Sequence, residues 1–243
     1  MTKIYGHRGA SAYAPENTME AFRKAMEQGV DGIELDVHLT KDGVVVVTHD
    51  ERIERVSDGT GYVQNLTLEE LKQFNFNKTI PGFAECKIPT LEEVYELVHP
   101  SNLRVNIELK TTQFLYPGLC QKLIDLAKKW DMEDKVIYSS FNHYSLLELK
   151  QIDLHAKIGL LYDMGLVDPW VYAEHLKADA IHPPFQVVMA FRDTIALSQH
   201  SGFEVNVWTA DDPTVIQILV DAGVDGIITN VPDIARQIRD ELC

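Results

Sequence analysis

No apolar run in this 243-residue chain is long enough to span a bilayer, so a transmembrane helix is excluded. Cysteine is scarce. Cys86, Cys120 and Cys243 lie far apart and are odd in number. Neither a disulfide framework nor a thiolate metal site is expected, and a reducing compartment fits. Positive charge is in deficit, with 22 Lys and Arg against 37 Asp and Glu, a formal net charge of -15. A field of that sign repels nucleic acid and anionic membrane surfaces, so neither is an expected partner. Basic and apolar interfacial patches are also missing, which argues against stable membrane association. A small anionic substrate is not excluded, because an Arg or a metal inside a pocket outweighs distant, screened surface charge. Met1-Thr2-Lys3-Ile4 runs straight into a candidate strand. No signal peptide is therefore expected, and the cytoplasm is the expected location.

What is present is a rhythm. Short apolar runs alternate with amphipathic stretches. Strands are expected at Lys3–His7, Gly32–His38, Leu103–Leu109, Val136–Phe141, Lys157–Tyr162, Ala180–Pro183, Glu204–Thr209 and Asp225–Thr229. Helices are expected at Thr18–Gln28, Leu119–Trp130, Tyr144–Ile152, Val187–Ser201, Pro213–Ala222 and Pro232–Glu241. That alternation implies parallel strands joined by crossovers, and the length suits one (β/α)8 barrel or two smaller domains. Asn17-Thr18-Met19-Glu20 reads as a helix start with Asn17 capping and Glu20 reaching back; Thr67-Leu68-Glu69-Glu70 and Thr90-Leu91-Glu92-Glu93 are further capping boxes. Asp212-Pro213 is a cap followed by a first-turn proline. Gly29-Val30-Asp31-Gly32-Ile33 recurs as Gly223-Val224-Asp225-Gly226-Ile227, one helix-to-strand joint used twice. Residues 50–89 break the rhythm with a polar, glycine-rich stretch and a short helix at Thr67–Phe74. They read as an insertion beside one barrel mouth, within a single unit of 1–243, and too small for a comfortable core of their own.

In Gly32-Ile33-Glu34-Leu35-Asp36-Val37-His38-Leu39 the side chains alternate faces. Glu34, Asp36 and His38 share one face, which for an isolated strand would be solvent. In a barrel the apolar face must meet the helical shell, so Glu34 and Asp36 point inward at the C-terminal end. Val105-Asn106-Ile107-Glu108-Leu109-Lys110 repeats the design and adds Glu108. Carboxylates held that close stay ionised only around a cation, and three oxygen ligands without a thiolate suit Mg²⁺ or Ca²⁺. Lys110 either neutralises a substrate anion or pairs with a neighbouring carboxylate.

Gly6-His7-Arg8-Gly9 places a titratable imidazole beside a fixed guanidinium able to hold a phosphate through two hydrogen bonds. Alone, this tetrapeptide reads more plainly as a polar turn. Asp42-Gly43 turns the chain, and Val44–Val47 returns as an extra strand that delivers His49 to the mouth where His7 lies. Two histidines there would supply an acid and a base; the plainer role for His49 is a hydrogen bond to Asp50. Trp208 walls the pocket or fills core. Phe141, Tyr162 and His182 also sit at strand ends, a position that favours pocket lining.

Taken in order, Gly6-His7-Arg8-Gly9, Pro15-Glu16-Asn17-Thr18, Glu34-Leu35-Asp36-Val37, His49-Asp50, Ile88-Pro89-Thr90-Leu91-Glu92-Glu93, Asn106-Ile107-Glu108-Leu109-Lys110, Val207-Trp208-Thr209 and Gly223–Thr229 resemble the glycerophosphodiester phosphodiesterase family from one end of the chain to the other. The resemblance implies a TIM barrel with an insertion after the second strand. It implies His7 and His49 as the acid/base pair, Glu34, Asp36 and Glu108 as ligands of one divalent cation, and Arg8 and Lys110 on the phosphate. The expected reaction is hydrolysis of a glycerophosphodiester to sn-glycerol 3-phosphate and an alcohol; a related barrel phospholipase acting on lipid headgroups is the alternative. Asn230, where the family more often has Asp, and Ala210-Asp211 depart from its pattern at the pocket rim.

Overall fold

A computed structural model describes residues 1–242; Cys243 lies outside them. Among the described residues nine strands form, and eight of them close a barrel: β1 (Lys3–His7), β2 (Gly32–Leu39), β4 (Arg104–Leu109), β5 (Val136–Ser140), β6 (Ile158–Leu161), β7 (Ala180–His182), β8 (Glu204–Val207) and β9 (Gly226–Thr229). Each pairs in parallel with the next, and β1 pairs with both β2 and β9, so no edge is left. Helices α1 (Met19–Glu27), α4 (Leu119–Lys129), α5 (His143–Ile152), α9 (Pro213–Asp221) and α10 (Pro232–Leu242) belong to the outer shell. The chain is a TIM barrel. Among the described residues no helix is long and apolar enough to cross a membrane.

The expected strands hold to within a residue or two at each end. Ile33, Leu35 and Val37 of β2 and Val105, Ile107 and Leu109 of β4 join the apolar cluster between strands and helices, so their alternate neighbours line the interior. The repeated pentapeptide does the same work twice. Asp31 accepts from the amide of Ile4 at 2.8 Å and Asp225 from that of Val205 at 2.9 Å, each carboxylate clamping the neighbouring strand. Asp179 clamps Ile158 in the same way, without the sequence signature.

Two helical expectations need correction. Thr18, not Asn17, caps α1, accepting from the amide of Ala21. Asn17 instead takes a left-handed conformation, φ 56°, and is buried toward the barrel mouth. The helix expected at Val187–Ser201 is two: α7 (Phe185–Ala190) and α8 (Asp193–His200). Phe191, at φ -130° and ψ 66°, breaks the line without a glycine or proline. The amide of Phe185 is tied to the carbonyl of Trp208, which fixes the start of α7 beside β8. A further helix, α6 (Pro169–His175), leads into β7.

Strand β3 (Val45–Val47) pairs antiparallel with β2, Val47 opposite Val37, outside the closed barrel. Residues 50–89 follow it and include α2 (Leu68–Gln73), capped by Thr67; α3 (Leu91–Val98), capped by Thr90, comes after them, both caps as expected. The insertion is better packed than its size suggests: Ile53, Val56, Val63, Leu71, Phe76 and Ile88 gather on Val46 as a second apolar cluster. A face of β3 turned away from the barrel gives them something to pack on.

Candidate active site

The inward face of three neighbouring strands meets at the C-terminal mouth. In register, His7 stands beside Glu34 and Asp36 beside Glu108. Carboxylate oxygens of Glu34, Asp36 and Glu108 all lie within 4.8 Å of one another, a set able to hold a metal ion. His7, Arg8, His49, Lys110, Phe141, Leu161 and Trp208 line the same cavity, of about 100 Å³. A larger groove of about 700 Å³ runs outside the barrel between Gly43, Glu92, Lys122 and Trp130. It has no histidine in its lining, so size is a poorer guide here than chemistry.

Burial raises the Glu34 carboxyl well above the usual carboxylate range, and Asp36 and Glu108 add to the rise. Glu108 is also raised, by burial and by Asp36. Burial would raise Asp36 too, but Arg8 and Lys110 outweigh it and hold this carboxyl low. The buried Oδ1 of Asp36 and Oδ1 of Asn106 have no hydrogen-bond partner among the described residues. Crowded like charges with unpartnered oxygen suit a hard cation, and the residues present fit one.

A tight turn aims the first cationic group. The Gly9 amide closes on the Gly6 carbonyl, and Arg8 sits at φ 55°. A Cβ on Gly9 would lie 2.7 Å or less from Ala21 backbone and side-chain atoms, so the turn packs on α1 only as glycine. The turn lets the Arg8 amide donate to Glu34 Oε2 at 2.9 Å while its guanidinium reaches Glu16 at 2.8 Å and Asp36 at 3.4 Å. Asn17 Nδ2 donates to Asp36 Oδ2 at 2.8 Å. Lys110 Nζ bonds Glu108 at 2.7 Å, lies 3.7 Å from Asp36, and donates to His49 Nε2 at 3.1 Å.

The two histidines are held from behind. His49 Nδ1 donates to Asp50 at 2.6 Å, and buried His38 bonds the His49 carbonyl at 3.1 Å. His7 Nδ1 bonds Asn230 Oδ1 at 2.7 Å, leaving Nε2 facing Glu34 at 3.9 Å. Burial, helped by the Arg8 charge, lowers His7 to about 4, so its ring is neutral.

Several of these supports were not visible in the sequence. Arg55, from the insertion, bonds Glu16 through both terminal nitrogens and Asp50 through Nε, bridging the surroundings of Arg8 to those of His49. Trp208 walls the cavity with Phe141, their rings edge to face at 5.6 Å. Two other strand-end residues do not line it. Tyr162 packs into the apolar cluster. His182 is wholly inside the barrel, bonded to Asn206 at 3.1 Å, where a Cβ on Gly159 would lie 2.4 Å from its ring.

The model of the Glycerophosphoryl diester phosphodiesterase family matches residues 7–234. The chain belongs to this family. It is an enzyme of the phosphodiester-hydrolase class. A glycerophosphodiester phosphodiesterase of Caldanaerobacter subterraneus is 46% identical to it over 96% of this chain and 95% of that one. Among solved structures, a glycerophosphodiester phosphodiesterase of Thermotoga maritima has a TM-score of 0.81 at 32% identity, covering 98% of this chain and 99% of that one. A phosphodiesterase of Oleispira antarctica in complex with the product sn-glycerol-3-phosphate has a TM-score of 0.88 at 26% identity, covering 99% and 98%.

Proposed function

We propose that this protein hydrolyses glycerophosphodiesters to sn-glycerol 3-phosphate and an alcohol such as choline or ethanolamine, using one divalent cation, Mg²⁺ or Ca²⁺, and a pair of histidines. One observation carries the reading: carboxylate oxygens of Glu34, Asp36 and Glu108 lie within 4.8 Å of one another, and Glu34 and Glu108 share one cavity with His7, His49, Arg8 and Lys110. The product complex of the Oleispira relative supports the same product here.

Glu34, Asp36 and Glu108 would hold the cation, which when bound supplies a fixed positive charge beside the phosphate oxygens. Arg8 and Lys110 already point into the site and add donors for those oxygens as charge builds in the transition state. Their present carboxylate contacts, 2.8 Å to Glu16 and 2.7 Å to Glu108, keep both side chains ordered before substrate arrives. Neutral His7 presents Nε2 to the site and can take a proton. His49, backed by Asp50, lines the same cavity and, in its protonated imidazolium form, can give a proton to the leaving alkoxide, or exchange roles with His7. Trp208 and Phe141 wall the apolar side of the cavity, where the carbon skeleton of the substrate would lie. The nucleophile is the glycerol 2-hydroxyl or water; release of a cyclic phosphate separates the two. The acidic surface disfavours nucleic acid and anionic membranes as partners. Two buried free thiols, Cys86 and Cys120, suit the cytoplasm.

The test is release of glycerol 3-phosphate from a panel of glycerophosphodiesters, with and without a tight chelator. Release in untreated enzyme, lost on chelation and restored by Mg²⁺ or Ca²⁺, is expected. Full activity under tight chelation would refute the metal site.

A further inference from the structure

We infer that Asp211 is a positioning residue for His7, acting through the side-chain amide of Asn230 to fix which ring nitrogen carries the proton. The inference rests on the acid–base reading of His7 given above.

The geometry is a directed chain of hydrogen bonds. Asp211 lies in the loop after β8 and Asn230 immediately after β9. Asp211 Oδ1 accepts from the Asn230 backbone amide at 2.8 Å and from Thr229 Oγ1 at 3.0 Å. Asp211 Oδ2 accepts from Asn230 Nδ2 at 2.6 Å. A carboxylate has no proton to give, so the amide must turn its NH₂ toward Asp211. That leaves Asn230 Oδ1 facing the other way, where it accepts from Ser11 Oγ at 2.6 Å and meets His7 Nδ1 at 2.7 Å. An amide oxygen only accepts. The neutral His7 ring must therefore carry its proton on Nδ1, and Nε2 shows its lone pair to the carboxylate cluster.

An asparagine alone would not secure this. Its two ends differ little in shape, and turned over it would present Nδ2 to the ring, place the proton on Nε2 and blunt the base. Asp211 removes that alternative by charge and by donor count. Ser11 favours the same orientation but, as a hydroxyl, can serve either end of an amide.

The test exchanges the two side chains. In Asp211→Asn, the new oxygen can still receive Thr229 and the Asn230 backbone amide, so the loop keeps its bonds. Its NH₂ then faces Asn230 and turns that amide over. With glycerophosphocholine as substrate, we expect kcat to fall roughly 100-fold, the scale of one positioned acid–base group, with KM within about threefold. Nitrogen-15 NMR of the histidine rings should move the His7 proton from Nδ1 to Nε2. In Asp211→Asn/Asn230→Asp, an acceptor again faces Nδ1 and a donor again faces the carboxylate, so the Nδ1–H form and most of kcat return. A purely structural role would move neither the tautomer nor the rescue. Asp211→Asn with kcat within about threefold of the parent, an Nε2–H form in the parent protein, or a double variant no better than the single overturns the inference. His7→Ala runs alongside. If it is inactive while Asp211→Asn is active, the positioning role alone fails; if it turns over normally, the acid–base reading fails and takes this inference with it.

Discussion

Three strands of the barrel carry charge or chemistry at both ends, and the two ends treat it in opposite ways. At the N-terminal mouth, Lys3 of β1, Arg104 of β4 and Glu204 of β8 meet: Glu204 lies 3.6 Å from Lys3 and 3.2 Å from Arg104. Opposite signs pair, and the pKa shifts agree. Burial would raise Glu204, but Lys3 and Arg104 outweigh it and hold it below its ordinary value. At the C-terminal mouth the same strands carry His7, Glu108 and, just beyond β8, Trp208. There carboxylates face each other and two of the three are pushed up. One end is arranged as a closed ion pair. The other keeps repulsion that its own protein partners only partly offset, as a cation-binding site of the kind proposed above would.

The contrast breaks most sharply through the histidines. His7→Ala and His49→Ala should each lower kcat by at least about 100-fold while the circular dichroism spectrum and melting temperature stay close to the parent. A variant that turns over normally would remove the active end from the comparison. Next in size is Glu34→Gln. It should lower activity at least about tenfold and leave the metal-free protein no less stable, because it relieves crowding instead of breaking a pair. Added Mg²⁺ or Ca²⁺ should raise the melting temperature of the parent more than that of the variant, as ligand binding to the folded state requires. Equal shifts in both would show that Glu34 holds no cation.

At the opposite end, Glu204→Gln should leave kcat unchanged and cost about 1 kcal/mol, since the group is partly solvated, or about 2–4 °C in melting temperature. The sign with pH follows from the lowered carboxyl. The stabilisation is present above the ordinary value of 4.5 and is lost as pH falls through the depressed one. The parent and variant melting curves should therefore converge in acid. A gap that persists there would mean packing, not charge, sets the effect. The smallest signal concerns thiols. Burial pushes Cys86 and Cys120 up to about 12, so both should resist alkylation at pH 8 in the folded protein and react on unfolding.

How much of this could be read in advance divides along the chain's own geometry. Glu34 and Asp36, or Asn106 and Glu108, are two residues apart on one strand, and period-two alternation puts each pair on a common face whatever the rest does. Once the strands are parallel, the mouth and its carboxylates follow. The supports escape that logic. His7 and Asn230 are separated by 223 positions, and Arg55 and Glu16 by 39. No local pattern links them until the barrel closes. Asn17 misled for a different reason: a short polar side chain before a helix suits a cap, yet here it is drawn away to Asp36 and Thr18 takes the cap. The break at Phe191 carries no punctuating residue, so periodicity ran through it.

The closure of the sheet by β1 against β9 ties the candidate site to the integrity of the ring. His7 ends β1 and Asn230 directly follows β9, so their 2.7 Å contact lies across the seam where the ring shuts. Strain or fraying at that one seam would part the two side chains while every other strand pairing stayed intact.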